Sequence, residues 1–452
     1  MTPPRFDPPP LDSAAREATD VVIRGARLLD PRADLDGVHD IVLRDGDVAE
    51  IGDSPPAPEG AEVIDGAGLV AVPAFVDPHV HLRTPGREDE EDIASGTRAA
   101  AAGGFCTILA QPNTDPVVDN GSILSALRER ARQEARIPTG FLAAVTVGQN
   151  GDALTEMAEL AELGAAGFTD DGRPVARAGI LRQALQYQRL AGRVIALHEE
   201  DPSLSSDGVM HEGAVSALLG MAGIPSISES TMIARDAQIA LYEDAAIHIQ
   251  HLSARESVEA VEQAKAAGVA VTCEASPHHL CLTDEAVRSL DAGFKMNPPL
   301  RADDDRQALI DGLRSGAIDC VATDHAPHAR EEKEQPFEMA PMGVTGLETA
   351  FAALHTELVV PGVLDLAVLI ERMTAGGAPF GLPVPTLAPG SPANLTLLDL
   401  AAEWQVGEAG YESRSANCAF DGREMTGRVR MTIASGAVAY RERSFAIGAV
   451  PA

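Results

Sequence analysis

The sequence predicts an α/β fold, a (β/α)8 TIM-like barrel carrying a smaller β-sandwich domain built from both chain ends. Three observations predict it. From about Ala74 to Leu382, short apolar runs alternate with Ala-rich segments of helical period, the pattern of β/α units repeated around a parallel sheet. Both ends of the chain read instead as strands separated by Gly and Asp turns. His and Asp close five of the eight apolar runs, and in such barrels the chemistry lies at the C-terminal ends of the strands. The expected boundaries follow: 1–20 a disordered Pro-rich extension, 21–73 with 386–447 the composite sandwich, and 74–385 the catalytic barrel.

The opening MTPPRFDPPP holds too many prolines for a helix or a central strand. Branched apolar residues cluster between turns in VVIRGARLLD, DIVLRDGDVAEIG and AEVIDGAGLVAVP, and again in ANLTLLDL and RVRMTIASGAVAYRE, where Ser435-Gly436 marks a hairpin turn. The eight runs between them are FVDPHVHL, FCTILAQP, GFLAAVTVG, AAGFTDD, RVIALHEE, AIHIQHLS, VAVTCEAS and IDCVATDH. Helical text such as ASGTRAAAAG, SILSALRERARQEA and ESVEAVEQAKAAG separates several of them. Eight such units in about 300 residues fit a closed barrel better than an open sheet.

Composition excludes other classes. With 45% apolar and 23% charged residues the chain matches ordinary globular usage, not a collagen-like, disordered or disulfide-scaffold class. No apolar run reaches the roughly 18–20 residues of a membrane span, and Met1 to Asp20 lacks the apolar stretch of a signal peptide, so a cytoplasmic protein is expected. A formal charge of −33 argues against nucleic-acid or anionic-membrane partners. Five scattered cysteines with no CxxC pair read as reduced thiols. Only Lys265, Lys295 and Lys333 are lysines, so the remaining basic residues are arginines.

The run ends carry the chemistry. Run one ends His79-Val80-His81, run four Asp170-Asp171, run five His198-Glu199-Glu200, run six at His251 and run eight Asp324-His325. A strand's period of two points His79 and His81 to one face, a bidentate clamp for a metal. Four histidines and two carboxylates exceed the three ligands usual for one catalytic zinc, so a two-metal site with a bridging carboxylate is the natural reading. One of Asp170 and Asp171 faces the metals, and alternation alone does not choose between them. His248 lies three residues before His251, so alternation sends it to the opposite face, as a packing residue; His39 and His355 read as surface or packing residues.

DPHVHLRTPG, GGFCTILAQPNT, GFTDDGRPV, MNPPLR and ATDHAPH, in this order and at these separations, resemble dihydroorotases of the long bacterial type, in the amidohydrolase superfamily. HxH is common to the superfamily; HLR early with MNPPLR and DHAPH late is the specific part. The resemblance runs from about Val21 to the end. It implies metal ligands at His79, His81, Asp171, His198, His251 and Asp324, with two zinc ions bridged by Asp171 and a hydroxide. It places substrate contacts at Arg83, Asn113, Asn297, His328, Met342 and Gly343. Thr84 departs from the pattern where Glu is usual, and acidic residues follow Gly86 where Lys is often seen.

The activity so implied is the reversible cyclisation of N-carbamoyl-L-aspartate to L-dihydroorotate in de novo pyrimidine biosynthesis, with Asp324 as the catalytic proton carrier. Arg83 suits the substrate carboxylate because its guanidinium binds carboxylates bidentately. Rival readings are a dihydropyrimidinase, hydantoinase or allantoinase, and a catalytically silent dihydroorotase-like partner of aspartate transcarbamoylase. The first group commonly bridges its metals with a carboxylated lysine at strand four, where GFTDDG has none; the second would have lost metal ligands that are all present here. A homodimer and an association with aspartate transcarbamoylase are both compatible with the sequence.

Overall fold

The computed structural model describes residues 6–443 and 445. The N-terminal end supplies β1 (Val21–Asp30), β2 (Leu35–Arg44), β3 (Asp47–Gly52), β4 (Glu62–Asp65) and β5 (Val70–Pro73). The middle holds β6 (Phe75–Val80), β7 (Phe105–Ala110), β8 (Thr139–Phe141), β9 (Ile195–Leu197), the two-stranded pair β10 (Met210–His211) and β11 (Gly223–Ile224), then β12 (Ala246–Ile249), β13 (Ala270–Ala275) and β14 (Cys320–Val321). The C-terminal end adds β15 (Leu395–Gln405), β16 (Glu424–Ala434) and β17 (Ala437–Arg441).

The two ends share one sheet, in the order β17-β16-β15-β5-β1-β2-β3 with β4 also on β1. β15 pairs antiparallel with β5, which joins the C-terminal hairpin to the N-terminal strands. β1 changes partner along its length, from β4 at Val21–Arg24 to β5 at Arg27–Leu28. A register shift lies between Ile23 and Ala26, where Gly25 takes a φ of +66° that disfavours a side chain. Val21, Ile23, Leu28, Ile41, Leu395 and Ile433 are among the fully buried residues of the resulting sandwich core. Expected sandwich positions 444 and 446–447 lie outside the described residues.

The barrel closes through short contacts. β6-β7-β8 and β14-β13-β12-β9 are parallel sheets. Isolated parallel bridges from Ala143 to Phe168 and from Phe168 to Ile195 join β8 to β9, and one from Val80 to His325 joins β6 to the end of run eight. Run four thus forms no strand and contributes single bridges at Phe168. The carboxylate of Asp170 accepts the N–H groups of Val145 and Thr146 at 2.9 and 3.1 Å, so a side chain does part of what a ladder would do there. The three helical texts form the helices Ile93–Ala102, Gly121–Glu134 and Arg255–Ala266; Asp92 and Ser95 cap the first reciprocally and Asn120 caps the second.

Barrel and sandwich meet over buried aromatics. Phe75 stacks on Phe351 at 5.9 Å and meets Phe105 edge-on at 5.7 Å, and removing such a ring typically costs about 3–5 kcal/mol. Thr396 and Thr432 donate to Gly104 and Ala101 at 2.7 Å, tying β15 and β16 to the first barrel helix and the turn after it.

Part of the extension departs from expectation. Residues 1–5 lie outside the described residues. Residues 6–20, expected to be disordered, follow the barrel wall: Asp12 and Thr139 exchange backbone hydrogen bonds of 2.9 and 3.0 Å. The Asp12 carboxylate also takes the guanidinium groups of Arg128 and Arg132 at 2.7 and 3.0 Å. Proline has no N–H to leave unpaired, so a Pro-rich stretch can lie extended along a surface without a full ladder.

Candidate metal centre and active site

Closing the ring brings the ends of runs one, four, five, six and eight together. Two groups of potential ligands form, and they share a residue: His79 and His81 with Asp171, and His198 and His251 with the same Asp171. Asp171 Oδ1 lies 3.5 Å from His79 Nε2, 3.5 Å from His251 Nε2 and 3.7 Å from His198 Nδ1. Its Oδ2 lies 3.5 Å from His81 Nε2. Asp324 Oδ1 stands 3.0 Å from His81 Nε2 and 3.4 Å from His79 Nε2.

All six side chains are buried, and His79 Nε2 has no hydrogen-bond partner although it faces two carboxylates. Imidazole nitrogens converging on shared carboxylates, one of them without a hydrogen-bond partner, are a donor set that zinc and similar divalent ions fill. Burial opposes ionisation of Asp171 and Asp324, but the surrounding histidines outweigh it, His79 foremost, and hold both carboxyls well below the usual range.

Three site residues break strand regularity. Arg83, His251 and Asp324 take φ values of 53°, 33° and 48°, the left-handed region that costs a residue with a side chain of order 1–3 kcal/mol. The turn at His251 also defeats the alternation argument for His248. That histidine lies in the barrel interior, with Nε2 2.9 Å from Glu274 Oε2 and Nδ1 2.8 Å from Thr272 Oγ1. It packs against the Phe380 ring and belongs to neither ligand group around Asp171.

Glu274 was not singled out in the sequence. It sits on β13, fully buried, with Oε1 2.6 Å from His79 Nδ1 and 3.2 Å from His251 N. Its signal was an acidic residue inside an otherwise apolar run. Asp77, one turn of the pleat before His79, is a second: it accepts from the N–H of His79 at 3.0 Å and from Thr323 Oγ1 at 2.6 Å.

The residues expected to meet substrate lie beside these groups. Asn113 Oδ1 is 2.8 Å from His81 Nδ1 and its Nδ2 is 3.4 Å from Asp171 Oδ2, so it contacts the candidate ligand residues themselves. Arg83 Nε donates to Pro327 O at 3.0 Å and pairs with buried Glu90 at 3.3 Å. His328 Nε2 lies 2.8 Å from Met342 O and 3.4 Å from an Arg83 Nη. Asn297 Oδ1 is buried without a partner. Gly343 has a φ of 133°, and a Cβ there would meet His328 Nε2 at 2.9 Å and Ala326 Cβ at 2.8 Å, so only glycine fits.

A dihydro-orotase-like family model matches residues 68–257. A protein named dihydroorotase from Geobacter sp. (strain M21) is 44% identical over 422 residues, covering 93% of this chain and 99% of that one. Another, from Pelotomaculum thermopropionicum, is 43% identical over 94% of this chain and 99% of its own length. The chain belongs to the dihydroorotase family.

The family's fold extends to other cyclic-amide hydrolases. An L-hydantoinase (dihydropyrimidinase) from Arthrobacter aurescens superposes with a TM-score of 0.83 at 26% identity, covering 94% of this chain and 96% of that one. A dihydropyrimidinase from Brevibacillus agri NCHU1002 shares the fold at 23% identity and a TM-score of 0.81 over 94% and 95% of the two chains. Amidohydrolases of this kind depend on metal, and this dihydroorotase-family chain brings candidate ligands together. Its three lysines are all bonded elsewhere: Lys265 to Ala317 O and Asp319, Lys295 to Glu338 O and Ala340 O, Lys333 to three backbone carbonyls. A lysine bridge is thereby excluded. No described helix is long and apolar enough to cross a membrane.

Proposed function

We propose that the chain is a dihydroorotase that interconverts N-carbamoyl-L-aspartate and L-dihydroorotate for pyrimidine biosynthesis. His79, His81, Asp171, His198, His251 and Asp324 would hold two zinc ions. The observation that carries the reading is Asp171, one buried carboxylate shared by two histidine pairs. Cations bound there supply a water acidified enough to attack near neutral pH and a Lewis acid for the ring carbonyl.

The protein groups account for the remaining steps. Asp324, kept ionised, accepts the proton of the attacking water and returns it to the departing ring nitrogen; ring closure reverses the transfer. Arg83 keeps its Nη groups for the substrate carboxylate while Pro327 O and Glu90 occupy its Nε. Asn113 and His328 stand beside it as further donors, and the unpartnered Asn297 Oδ1 accepts from the ring amide edge. The substrate would lie between these groups and the histidines.

The protein is expected to act on its small-molecule substrate in the cytoplasm, and both a homodimer and an association with aspartate transcarbamoylase are compatible with the chain. The test of substrate is an assay of one metal-analysed sample on dihydroorotate and on hydantoins. Opening of dihydroorotate is the expected result; a metal-replete protein that opens only hydantoins would contradict it.

A further inference from the structure

We infer that Lys333 is a positioning residue for substrate recognition, its ammonium fastening the Met342–Gly343 backbone to the segment that carries Asn297. The inference rests on the reading of Asn297, His328, Met342 and Gly343 as the wall that meets substrate.

Lys333 ends the short helix Arg330–Lys333 in the loop after run eight. Its Nζ donates to Gly343 O at 2.9 Å, Pro341 O at 3.0 Å and Lys295 O at 3.2 Å. In the protonated form three N–H groups thus meet three carbonyls, although burial and then the charge of Lys295 push the Lys333 pKa down to about 7. Two of those carbonyls flank Met342, whose own carbonyl accepts from His328 Nε2. The third lies two residues before Asn297, and it also accepts the N–H of Gly343 at 2.9 Å.

The second lysine acts on the same loop. Lys295 Nζ donates to Ala340 O at 2.7 Å and Glu338 O at 3.0 Å and lies 5.4 Å from the centre of the Phe337 ring. Two of the chain's three lysines therefore hold one loop, in a sequence that otherwise uses arginine for its positive charge. The residue type follows from geometry, since a compact ammonium can aim three donors at carbonyls gathered around a point and a planar guanidinium cannot. The need for such a clip is local: Gln335 to Gly343 has no strand or helix, so its carbonyls lack ladder partners. Asn417 Nδ2 adds one more donor to Gly343 O, at 3.2 Å.

The test is steady-state kinetics of Lys333→Met, which keeps the length of the side chain and removes its donors. KM for dihydroorotate should rise about tenfold or more while kcat stays within about threefold and metal content is unchanged, the pattern of lost substrate positioning. Lys333→Cys provides a chemical rescue. Alkylation with 2-bromoethylamine rebuilds an ammonium at nearly the original reach and should restore KM; the treated parent reports the effect of alkylating Cys281, the one cysteine that is not buried. A KM unchanged in Lys333→Met, or a raised KM in Lys333→Cys that aminoethylation does not restore, would overturn the inference. Asn297→Ala separates it from the reading beneath it. If that variant raises KM and Lys333→Met does not, the clip alone is wrong; if Asn297→Ala leaves KM unchanged, the wall and the clip both fall.

Discussion

Glu274 Oε1 lies 2.6 Å from His79 Nδ1, with its other oxygen 2.9 Å from His248 Nε2, so one buried carboxylate on β13 orients the first histidine of the HxH pair. With Nδ1–H given to Glu274, the His79 ring presents Nε2 toward Asp171 and Asp324, where its lone pair would be available to a bound cation. Burial opposes the charge on Glu274, yet His79 and His248 bring its carboxyl down to about 2.

Glu274→Gln keeps the shape and removes the charge. Zinc affinity, read by competition with a chelator, should fall by about 10–100-fold. The same pair sets a pH dependence. The folded carboxyl titrates at about 2, below its ordinary value of 4.5, so its contribution to stability is complete above 4.5 and lost as pH falls toward 2. In denaturant titrations of the metal-free proteins, the gap between parent and Glu274→Gln should therefore close across that window. A gap constant from pH 6 down to pH 2 would contradict the role given to Glu274.

How much of this was legible beforehand depends on what each residue needs. His79, His81, His198 and Asp324 end apolar runs, so alternation and barrel logic locate them without tertiary information. His251 was found by the same logic, but its left-handed backbone was not visible, and that turn is why His248 entered the barrel interior against expectation. Run four was readable as a barrel segment and not as a bridge-only contact, because the ladder is partly replaced by the Asp170 side chain. Glu274 and Asn417 act through partners far away in sequence, and Lys333 through carbonyls of an irregular loop that no periodicity locates. Residues 6–20 are ordered against expectation because proline content reports on local propensity and says nothing of a surface able to receive the chain.

Asp324→Asn tests the proton carrier. The amide keeps an oxygen toward His81 and cannot take a proton, so turnover on dihydroorotate should drop by about 10²–10⁴-fold. Much of the metal should remain, because the other five ligands persist. Near-normal turnover would remove Asp324 from the reaction.

Arg83→Met tests the carboxylate site. Losing a charged partner in a desolvated site costs about 2–5 kcal/mol, so kcat/KM for dihydroorotate should fall by about 30-fold or more with metal content nearly unchanged. Values within a few-fold of the parent would place the substrate carboxylate elsewhere.

Asp170 and Asp171 are adjacent and should behave oppositely. Asp171→Ala should lose at least one metal and most activity, since two nearby cations repel without an anion between them. Asp170→Ala should keep its metal and lose stability, because Val145 N and Thr146 N would be left buried and unpaired at about 1–3 kcal/mol each. Metal analysis and thermal melts of the two variants separate these outcomes; metal loss confined to Asp170→Ala would shift the assignment by one residue.

The central claim, a dihydroorotase whose two metals share Asp171, is tested most directly by titrating zinc into the metal-free protein while following dihydroorotate hydrolysis. Activity should be absent without metal and should rise to a plateau at two zinc ions per chain with no added bicarbonate, because an aspartate bridge carries its own carboxylate. Full activity without metal, a requirement for bicarbonate, or zinc-saturated protein inert toward dihydroorotate would contradict it.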